Sequence, residues 1–229
     1  MRTSGHNFAV GAIALLALPL VGFGHAPLNS GEESKTAAQV WADARTAMKD
    51  ARSFHVLGHE DQGGTAISLN LSMSPGRGGG SIQLPGVTME MVLAAGTVYI
   101  KADQKSWLKL TNSKATAELV ANRWIEAPVT NSDFSSFADL ADSRKFIGGL
   151  TGQGKISKLS GTATWGGQKA VVLVDATGNK LYIADTGAPF MLAIQDQSKG
   201  QTGSLKFTDF GDAPMPAVPK DAISLPSGG

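Results

Sequence analysis

The sequence contains no cysteine among its 229 residues. The protein therefore has no disulfide, no thiolate nucleophile and no cysteine-ligated metal. Thioether lipidation is excluded as well: Leu20-Val21-Gly22 is the usual lead-in to a lipobox, but Phe23 stands where the acceptor cysteine would be. We expect a protein that is not lipidated at cysteine.

Charged residues are scarce, at 17% of the chain, and no tract of five basic residues occurs. If an export leader carrying Arg2 is removed, 19 Lys and Arg remain against 19 Asp and Glu, a formal net charge of zero. Binding to nucleic acid, or strong attraction to an anionic membrane, requires a basic surface. We therefore expect no nucleic-acid partner, and neutral or apolar ligands.

Motifs for catalysis or metal binding are also lacking. His55 and His59 share one side of a predicted strand, but four strand residues span about 13 Å, too far for one metal with zinc-nitrogen bonds of about 2.1 Å. Gly76-Arg-Gly-Gly-Gly80 lacks the Gly-Lys-Ser/Thr ending of a phosphate-binding loop and is predicted as a flexible hairpin loop. Ser106-x-x-Lys109 matches an acyl-enzyme motif only on a helix, and this segment is predicted as a strand. We therefore predict no enzyme, no catalytic residue, no cofactor and no metal site.

One long uncharged run, residues 8–24, follows Arg2 and predicts a signal peptide over residues 1–24. The run is at the lower limit for a bilayer span and no basic cluster follows it, so an uncleaved anchor is the alternative. Residues 25–35 are predicted to be a tether, and residues 36–225 a single domain. An extracytoplasmic location follows, either secreted or associated with the cell envelope.

Alternating apolar and polar residues dominate the region from 65 to 101. Ile67, Leu69, Leu71 and Met73 share one face of a predicted strand, and their polar neighbours share the other. Further strands are predicted at residues 88–94 and 97–101, separated from each other by Ala95-Gly96. These patterns indicate an antiparallel meander with one apolar face, which must be covered.

Helical patterns flank and interrupt the strands. Thr36 and Gln39 form a capping-box pattern that predicts a helix covering the sheet. Two further helical stretches are predicted at residues 113–121 and 132–147, between the two sets of strands. The other predicted strands are residues 54–59, 106–110, 155–165, 168–175, 180–184, 190–194 and 204–210. A proline-spaced tail from residue 213 is predicted to be extended. The fold class is α+β.

The order of elements, together with short sequence motifs, resembles the LppX/LprG family of actinobacterial envelope lipoproteins, relatives of the LolA/LolB carriers. The similarity spans about residues 36–225, and its motifs are Ala47-Met-Lys-Asp-Ala-Arg-Ser-Phe-His55, Gly96-Thr-Val-Tyr-Ile-Lys101, Trp107, Trp124-Ile125, Asp133-Phe-Ser-Ser-Phe137, Gly167-Gln-Lys-Ala-Val171, Lys180-Leu-Tyr-Ile183, Thr186-Gly-Ala-Pro189 and Phe207-Thr-Asp-Phe-Gly211. The resemblance implies a curved antiparallel half-open barrel with helices over its concave face, enclosing an apolar cavity for acyl chains. The missing lipobox cysteine departs from the family pattern and puts anchoring in doubt.

The hypothesis is a non-enzymatic lipid carrier that sequesters the acyl chains of a lipid or glycolipid and makes transient contact with a membrane. The alternative is an envelope protein-interaction or sensory module of RseB-like type, which a dry, filled core would favour. Strand parity and the resemblance predict a lipid-binding set, in which the two tryptophans flank the helical insert: Ile67, Leu69, Leu71, Met89, Met91, Leu93, Val98, Ile100, Trp107 and Trp124.

Overall fold

A computed structural model describes residues 30–62, 65–152, 155–196 and 201–224. Within these ranges a single twelve-stranded sheet organises the molecule. Its strands are β1 (Phe54–Gln62), β2 (Thr65–Ser74), β3 (Arg77–Leu84), β4 (Val87–Ala94), β5 (Thr97–Ala102), β6 (Ile125–Pro128), β7 (Ile156–Trp165), β8 (Gln168–Asp175), β9 (Lys180–Ala184), β10 (Met191–Asp196), β11 (Gln201–Thr208) and β12 (Ile223–Ser224).

The strand order is β12-β6-β5-β4-β3-β2-β1-β11-β10-β9-β8-β7. Two meanders therefore lie side by side and join where β1 pairs with β11. All described pairs are antiparallel except β12 with β6. The sheet is curved and does not close, which confirms the predicted half-open barrel of the α+β class.

The helices are α1 (Ala37–Asp50), α2 (Gln104–Thr111), α3 (Lys114–Val120), α4 (Ser135–Ala141) and α5 (Ser143–Gly152). The capping box of α1 is confirmed, because the Thr36 hydroxyl accepts from the Gln39 amide and the Gln39 side chain accepts from the Thr36 amide. None of the helices in the described ranges is both long and apolar enough to cross a membrane. The predicted signal peptide lies outside those ranges.

One large apolar core fills the space between the helices and one face of the sheet. Helix α1 contributes Val40, Ala44 and Met48, and the strands contribute residues such as Phe54 and Leu71, all with at most 1% of their surface exposed. The side chains alternate along the strands, so Val56 is fully buried while its neighbour Leu57, on the opposite face, is 49% exposed. The face that carries Val56 is therefore the covered one.

The predicted strand over residues 106–110 is wrong, because these residues form helix α2. Asp103 caps the helix, accepting a hydrogen bond from the Ser106 amide at 2.7 Å, and Asn112 ends it in the left-handed conformation. The segment therefore packs across the sheet instead of adding a strand.

The predicted loop at Gly76–Gly80 is also wrong beyond its first residue, because β3 begins at Arg77 and includes Gly78, Gly79 and Gly80. A Cβ atom on Gly78 would lie 2.3 Å from the Ala141 carbonyl oxygen, and one on Gly79 would lie 2.2 Å from the Met91 carbonyl oxygen. The glycines thus allow helix α4 and the neighbouring strands to approach the β3 backbone closely.

The helix predicted over residues 132–147 is interrupted at Asp142, which separates α4 from α5. The Asp142 carboxylate accepts hydrogen bonds from the Arg144 and Lys145 amides, as an N-cap does, and from the Gly76 amide at 2.7 Å. Helix α5 continues past the predicted end at Gly148 and Gly149. Asp142, at the break, therefore links both helices to the turn between β2 and β3.

Strands β3, β6 and β12 were not predicted; β3 lies between β2 and β4, and β6 and β12 are short. The chain beyond residue 212 is extended, as predicted, and runs over the outer face of the sheet. There the Arg77 side chain donates to the Pro216 carbonyl, and Ile223 pairs with Ile125. The tail covers Gly79 and Val92 and explains why Val92 is buried on the face opposite the main core.

Candidate functional site

Two cavities lie between the helices and the covered face of the sheet. The first, here named the α5 cavity, has a volume of about 280 Å³ and lies under Phe146 and Leu150 of helix α5. The second, here named the α2–α4 cavity, has a volume of about 500 Å³ and lies under helices α2, α3 and α4. The first volume is just below the range of about 300–1,000 Å³ for small-molecule sites, and the second lies within it.

The α5 cavity is lined by thirteen residues, of which five are aliphatic and two, Glu60 and Asp196, carry carboxylates. Leu69 of β2 and Leu205 of β11 converge over Gly58 of β1, where a Cβ atom would lie 2.8 Å from Leu69 Cγ and 2.7 Å from Leu205 Cδ2. Gly58 thus makes room for both leucine side chains. Ile67 and Ile194 line the same space.

The polar groups of the α5 cavity come from the ends of the strands. His59 is one of them, and its Nδ1 lies 3.3 Å from the Ser68 hydroxyl. Asn179 is another, in a turn held by Asp175, whose carboxylate accepts from the Asn179 and Thr177 amides. Partial burial by itself would raise the pKa of Asp175, but these hydrogen bonds outweigh it and hold the pKa below its usual value. The cavity thus combines apolar side chains with polar and acidic ones.

The α2–α4 cavity is lined by aromatic and branched side chains. Trp107 of α2, Val120 of α3 and Ile100 of β5 line it, together with Phe134 and Phe137. Only 5% of the surface of Trp107 is exposed, and its Nε1 has no hydrogen-bond partner within the described part of the chain. Buried tryptophan nitrogens normally have a partner.

Nine of the ten predicted lipid-binding residues separate into three groups. Ile67 and Leu69 line the α5 cavity, and Ile100 and Trp107 line the α2–α4 cavity. The third group is packed in the core, lines neither cavity and has at most 4% of its surface exposed; it consists of Leu71, Met89, Met91, Leu93 and Val98. The centre of the predicted binding face is therefore filled by packed side chains of the protein itself.

Trp124 lies elsewhere. It borders a shallow depression of the outer face together with Pro216 of the tail, and Lys101 Nζ lies 5.8 Å from the centre of its ring. That distance is within the range of a cation-π contact. The structure places Trp124 on the face opposite to the two cavities.

Several cavity-lining residues were missed by the sequence reasoning. They share an apolar side chain on a helix or strand that reaches the covered face: Leu110, Val120, Phe134, Phe137, Phe146, Leu150, Ile194 and Leu205. The helical spacing of Phe146 and Leu150, four residues apart, was a usable signal. It shows that the two side chains share a helix face, but not which strands that face meets.

The remaining polar candidates have structural contacts. His55 Nε2 lies 2.7 Å from the Asn70 side-chain oxygen, on the outer face. Although Ser106 and Lys109 are on a helix after all, the buried Ser106 hydroxyl accepts from the Thr88 amide at 2.9 Å, and Lys109 is exposed. In the described ranges, no three histidine or acidic side chains converge as a metal site would require. Ser106 therefore joins α2 to β4.

Charged groups outside the cavities attach the segment before α1 to the body. Lys35 Nζ lies 2.7 Å from both Asp43 and the buried Glu32, and these two hydrogen bonds, that of Asp43 first, raise the pKa of Lys35. Lys169 contacts Glu33 and lies 2.9 Å from the buried Asp185 carboxylate. The described end of the predicted tether, residues 30–35, is thus fixed against the body of the protein.

Comparisons with known proteins show the fold. No protein-family model matches the sequence, and a comparison with curated proteins gives no match. LprF from Mycobacterium bovis is similar in structure, with a TM-score of 0.53 at 15% identity over 82% of this chain and 97% of LprF. The lipoprotein LppX of Mycobacterium tuberculosis follows, with a TM-score of 0.48 at 12% identity over 77% of this chain and 97% of LppX. The Pseudomonas aeruginosa MucA/MucB complex gives a TM-score of 0.37 at 19% identity, over 80% of this chain and 58% of the matched one.

The match to LprF confirms the predicted LppX-like fold. At 15% identity, the match does not show which ligand this protein binds. The function therefore has to be argued from the cavities themselves.

Proposed function

We propose that the protein is a non-enzymatic, extracytoplasmic carrier that binds acyl lipids in the two cavities on the covered face of its sheet. The observation that supports this most directly is the presence of apolar space between packed helices and the sheet, within a fold shared with LprF. The apolar side chains that line both spaces would contact an acyl chain that enters from the surface.

The energetics suit acyl chains. Each methylene group removed from water contributes about 0.8 kcal/mol, so roughly ten methylenes contribute about 8 kcal/mol gross. Association costs of about 4 kcal/mol or more reduce this gain. Each cavity would thus bind one acyl segment with an affinity that permits release, as a carrier requires. The packed centre formed by Met91 and its neighbours keeps the two segments apart.

A transient membrane contact fits helices α2 and α3. Leu108 and Leu119 are 44% and 68% exposed there, and Lys105, Lys109 and Lys114 are exposed on the same two helices. Exposed leucines flanked by lysines suit the interface of a bilayer that contains anionic lipid. Because α2 and α3 also line the α2–α4 cavity, a chain could pass from the bilayer into it.

The test combines lipid detection with variants that fill each cavity. Native mass spectrometry of the purified protein should show bound lipid, and Leu205→Trp and Val120→Trp should each reduce the amount. Leu57→Trp is the matched control, since Leu57 is 49% exposed on the opposite face of the sheet. Absence of lipid from the wild type, together with no displacement of an apolar dye by fatty acid, would reject the proposal.

The alternative is a protein-interaction module, and the filled centre of the predicted binding face favours it. In that case no lipid should co-purify, and the cavity-filling variants should change only the stability of the protein. A partner would then be bound by the outer surface, where Leu57 is exposed, so Leu57→Asp should abolish its binding.

A further inference from the structure

Trp124 was predicted to contact lipid, but it lies on the outer face of the sheet, where it borders a depression beside the tail. The depression has a volume of about 440 Å³, which is within the range of small-molecule sites. Both lipid cavities lie on the opposite face of the sheet, so the proposed carrier function does not use this depression.

A row of polar side chains crosses the sheet beside Trp124. Asn70 of β2 pairs with Ser81 of β3, which pairs with Glu90 of β4. Glu90 in turn pairs with Lys101 of β5, and Lys101 Nζ lies 5.8 Å from the centre of the Trp124 ring. Adjacent strands are about 4.8 Å apart, so the four polar side chains span about 14 Å. The row therefore has room for more than one small polar unit.

The row offers hydrogen-bonding groups but no net charge. Glu90 and Lys101 carry opposite charges, and their side chains are 3.6 Å apart. The Asn70 side-chain oxygen is bonded to a histidine nitrogen, but the Asn70 amide nitrogen has no partner in the described part of the chain. The exposed Ser81 hydroxyl and the Trp124 indole N–H likewise bond to no described residue. These groups can therefore bond to a ligand without breaking a contact of the protein.

The depression is already formed in the free protein. The tail supplies one wall with Pro216 and Ala217. The Arg77 side chain holds this wall by donating to the Pro216 carbonyl. Further along the tail, the Ile223 amide donates to the Trp124 carbonyl at 2.8 Å and fixes the backbone next to the ring. A ligand therefore need not order these segments, which lowers the cost of binding.

The chemistry of the depression restricts its ligand. None of the described residues that line it is a leucine, an isoleucine or a phenylalanine, so an acyl chain would gain little there. A phosphate group requires a free basic side chain, whereas Lys101 is paired with Glu90. The core of a protein–protein interface is largely apolar and poor in charge, unlike this row. A neutral ligand with many hydroxyl groups remains.

We propose that the depression binds a neutral oligosaccharide. A sugar ring carries hydroxyl groups on its edge and C–H groups on its faces, and the C–H groups are attracted to the negative face of an aromatic ring. The Trp124 ring then contacts the face of one sugar, and Asn70 and Ser81 hydrogen-bond to sugar hydroxyl groups. This site is independent of the lipid cavities, so the proposal does not rest on the carrier function.

The test is a titration of the purified protein with three neutral tetrasaccharides that differ in shape: cellotetraose, maltotetraose and mannotetraose. The readout is the NMR signal of each tryptophan indole N–H, and the chain has four tryptophans. At least one tetrasaccharide should shift the Trp124 signal in a saturable way and leave those of Trp41, Trp107 and Trp165 in place. Tetragalacturonate, which is anionic, should bind no more tightly.

Variants then identify the contacts by calorimetry. Trp124→Ala should weaken binding about tenfold or more, and Ser81→Ala about two- to tenfold. Gln83→Ala is the matched control and should bind as the wild type does, because Gln83 is exposed two residues from Ser81 on β3 and does not line the depression. If Trp124→Ala fails to fold, the comparison of Ser81→Ala with Gln83→Ala decides.

Three results would overturn the proposal. The first is that no tetrasaccharide shifts the Trp124 signal, which would favour a protein partner for this face. The second is equal affinity of Ser81→Ala and Gln83→Ala. The third is tighter, salt-sensitive binding of tetragalacturonate, which would show an ionic contact with Lys101 in place of a neutral ligand. None of these results changes the case for lipid binding on the opposite face.

Discussion

Leu69 and Leu71 are two residues apart on the same face of β2, but they have different surroundings. Leu71 is fully buried in the core, whereas Leu69 is partly exposed and borders the α5 cavity. Leu71→Ala should cost about 3 kcal/mol, because a new enclosed void forms. Leu69→Ala should cost about 1 kcal/mol, because it only enlarges a space that is already empty.

The assay is thermal unfolding of delipidated protein. For a chain of this size, 1 kcal/mol corresponds to about 2–4 °C in Tm. The expected loss is therefore about 6–12 °C for Leu71→Ala and about 2–4 °C for Leu69→Ala. Fatty-acid binding is then measured on Leu69→Asp, which places a carboxylate in the cavity wall and should abolish binding in a folded protein.

Two results would refute this reasoning. Equal losses of Tm for the two alanine variants would show that the α5 cavity is closed in solution and that Leu69 is ordinary core. Undiminished fatty-acid binding by folded Leu69→Asp would show that the acyl chain binds elsewhere. In the second case the α2–α4 cavity alone would remain as the candidate site.

Three further predictions concern the scaffold. Thr36→Ala removes the cap of α1 and should cost about 1 kcal/mol in urea unfolding. Gly79→Ala should destabilise the protein several-fold more than Gly86→Ala. A Cβ atom at Gly79 would lie 2.2 Å from the Met91 carbonyl oxygen, whereas nothing lies within 4 Å of a Cβ atom at Gly86. Equal losses of stability would contradict the close approach at Gly79. The pKa of Asp175 is below its usual value in the folded protein, so its contribution is present at neutral pH and is lost as pH falls below about 4. Asp175→Asn should therefore show a shallower fall of Tm with acidification, and an unchanged slope would contradict this.

Most of the fold could be predicted from local patterns. The period-two alternation of β2 and the capping box of Thr36 are local signals, and both were interpreted correctly. The errors fell where tertiary contacts outweigh local preference. Gly78 and Gly79 form a strand because neighbouring backbone approaches them, and no periodicity in the sequence reveals that approach.

The candidate site was less predictable. Parity shows that Leu69 and Met91 project from strands toward one face, but parity does not show what covers each of them. The position of helix α5 leaves space beside Leu69, whereas Met91 is fully enclosed. Trp107 was predicted as a binding residue because it flanks the helical insert. That its nitrogen has no partner in the described part of the chain could not be predicted, because residues 106–110 were predicted as a strand.

The amino-acid sequence by itself determined the absence of thiol chemistry, the β-rich character and the apolar face of the sheet, because these depend on composition and on nearest neighbours along the chain. The tertiary structure alone decided which residues of that face border empty space. The position of this empty space depends on where α2, α4 and α5 cross the sheet. Those crossings are set by contacts between segments far apart in the chain, such as the hydrogen bond from the Gly76 amide to the Asp142 carboxylate.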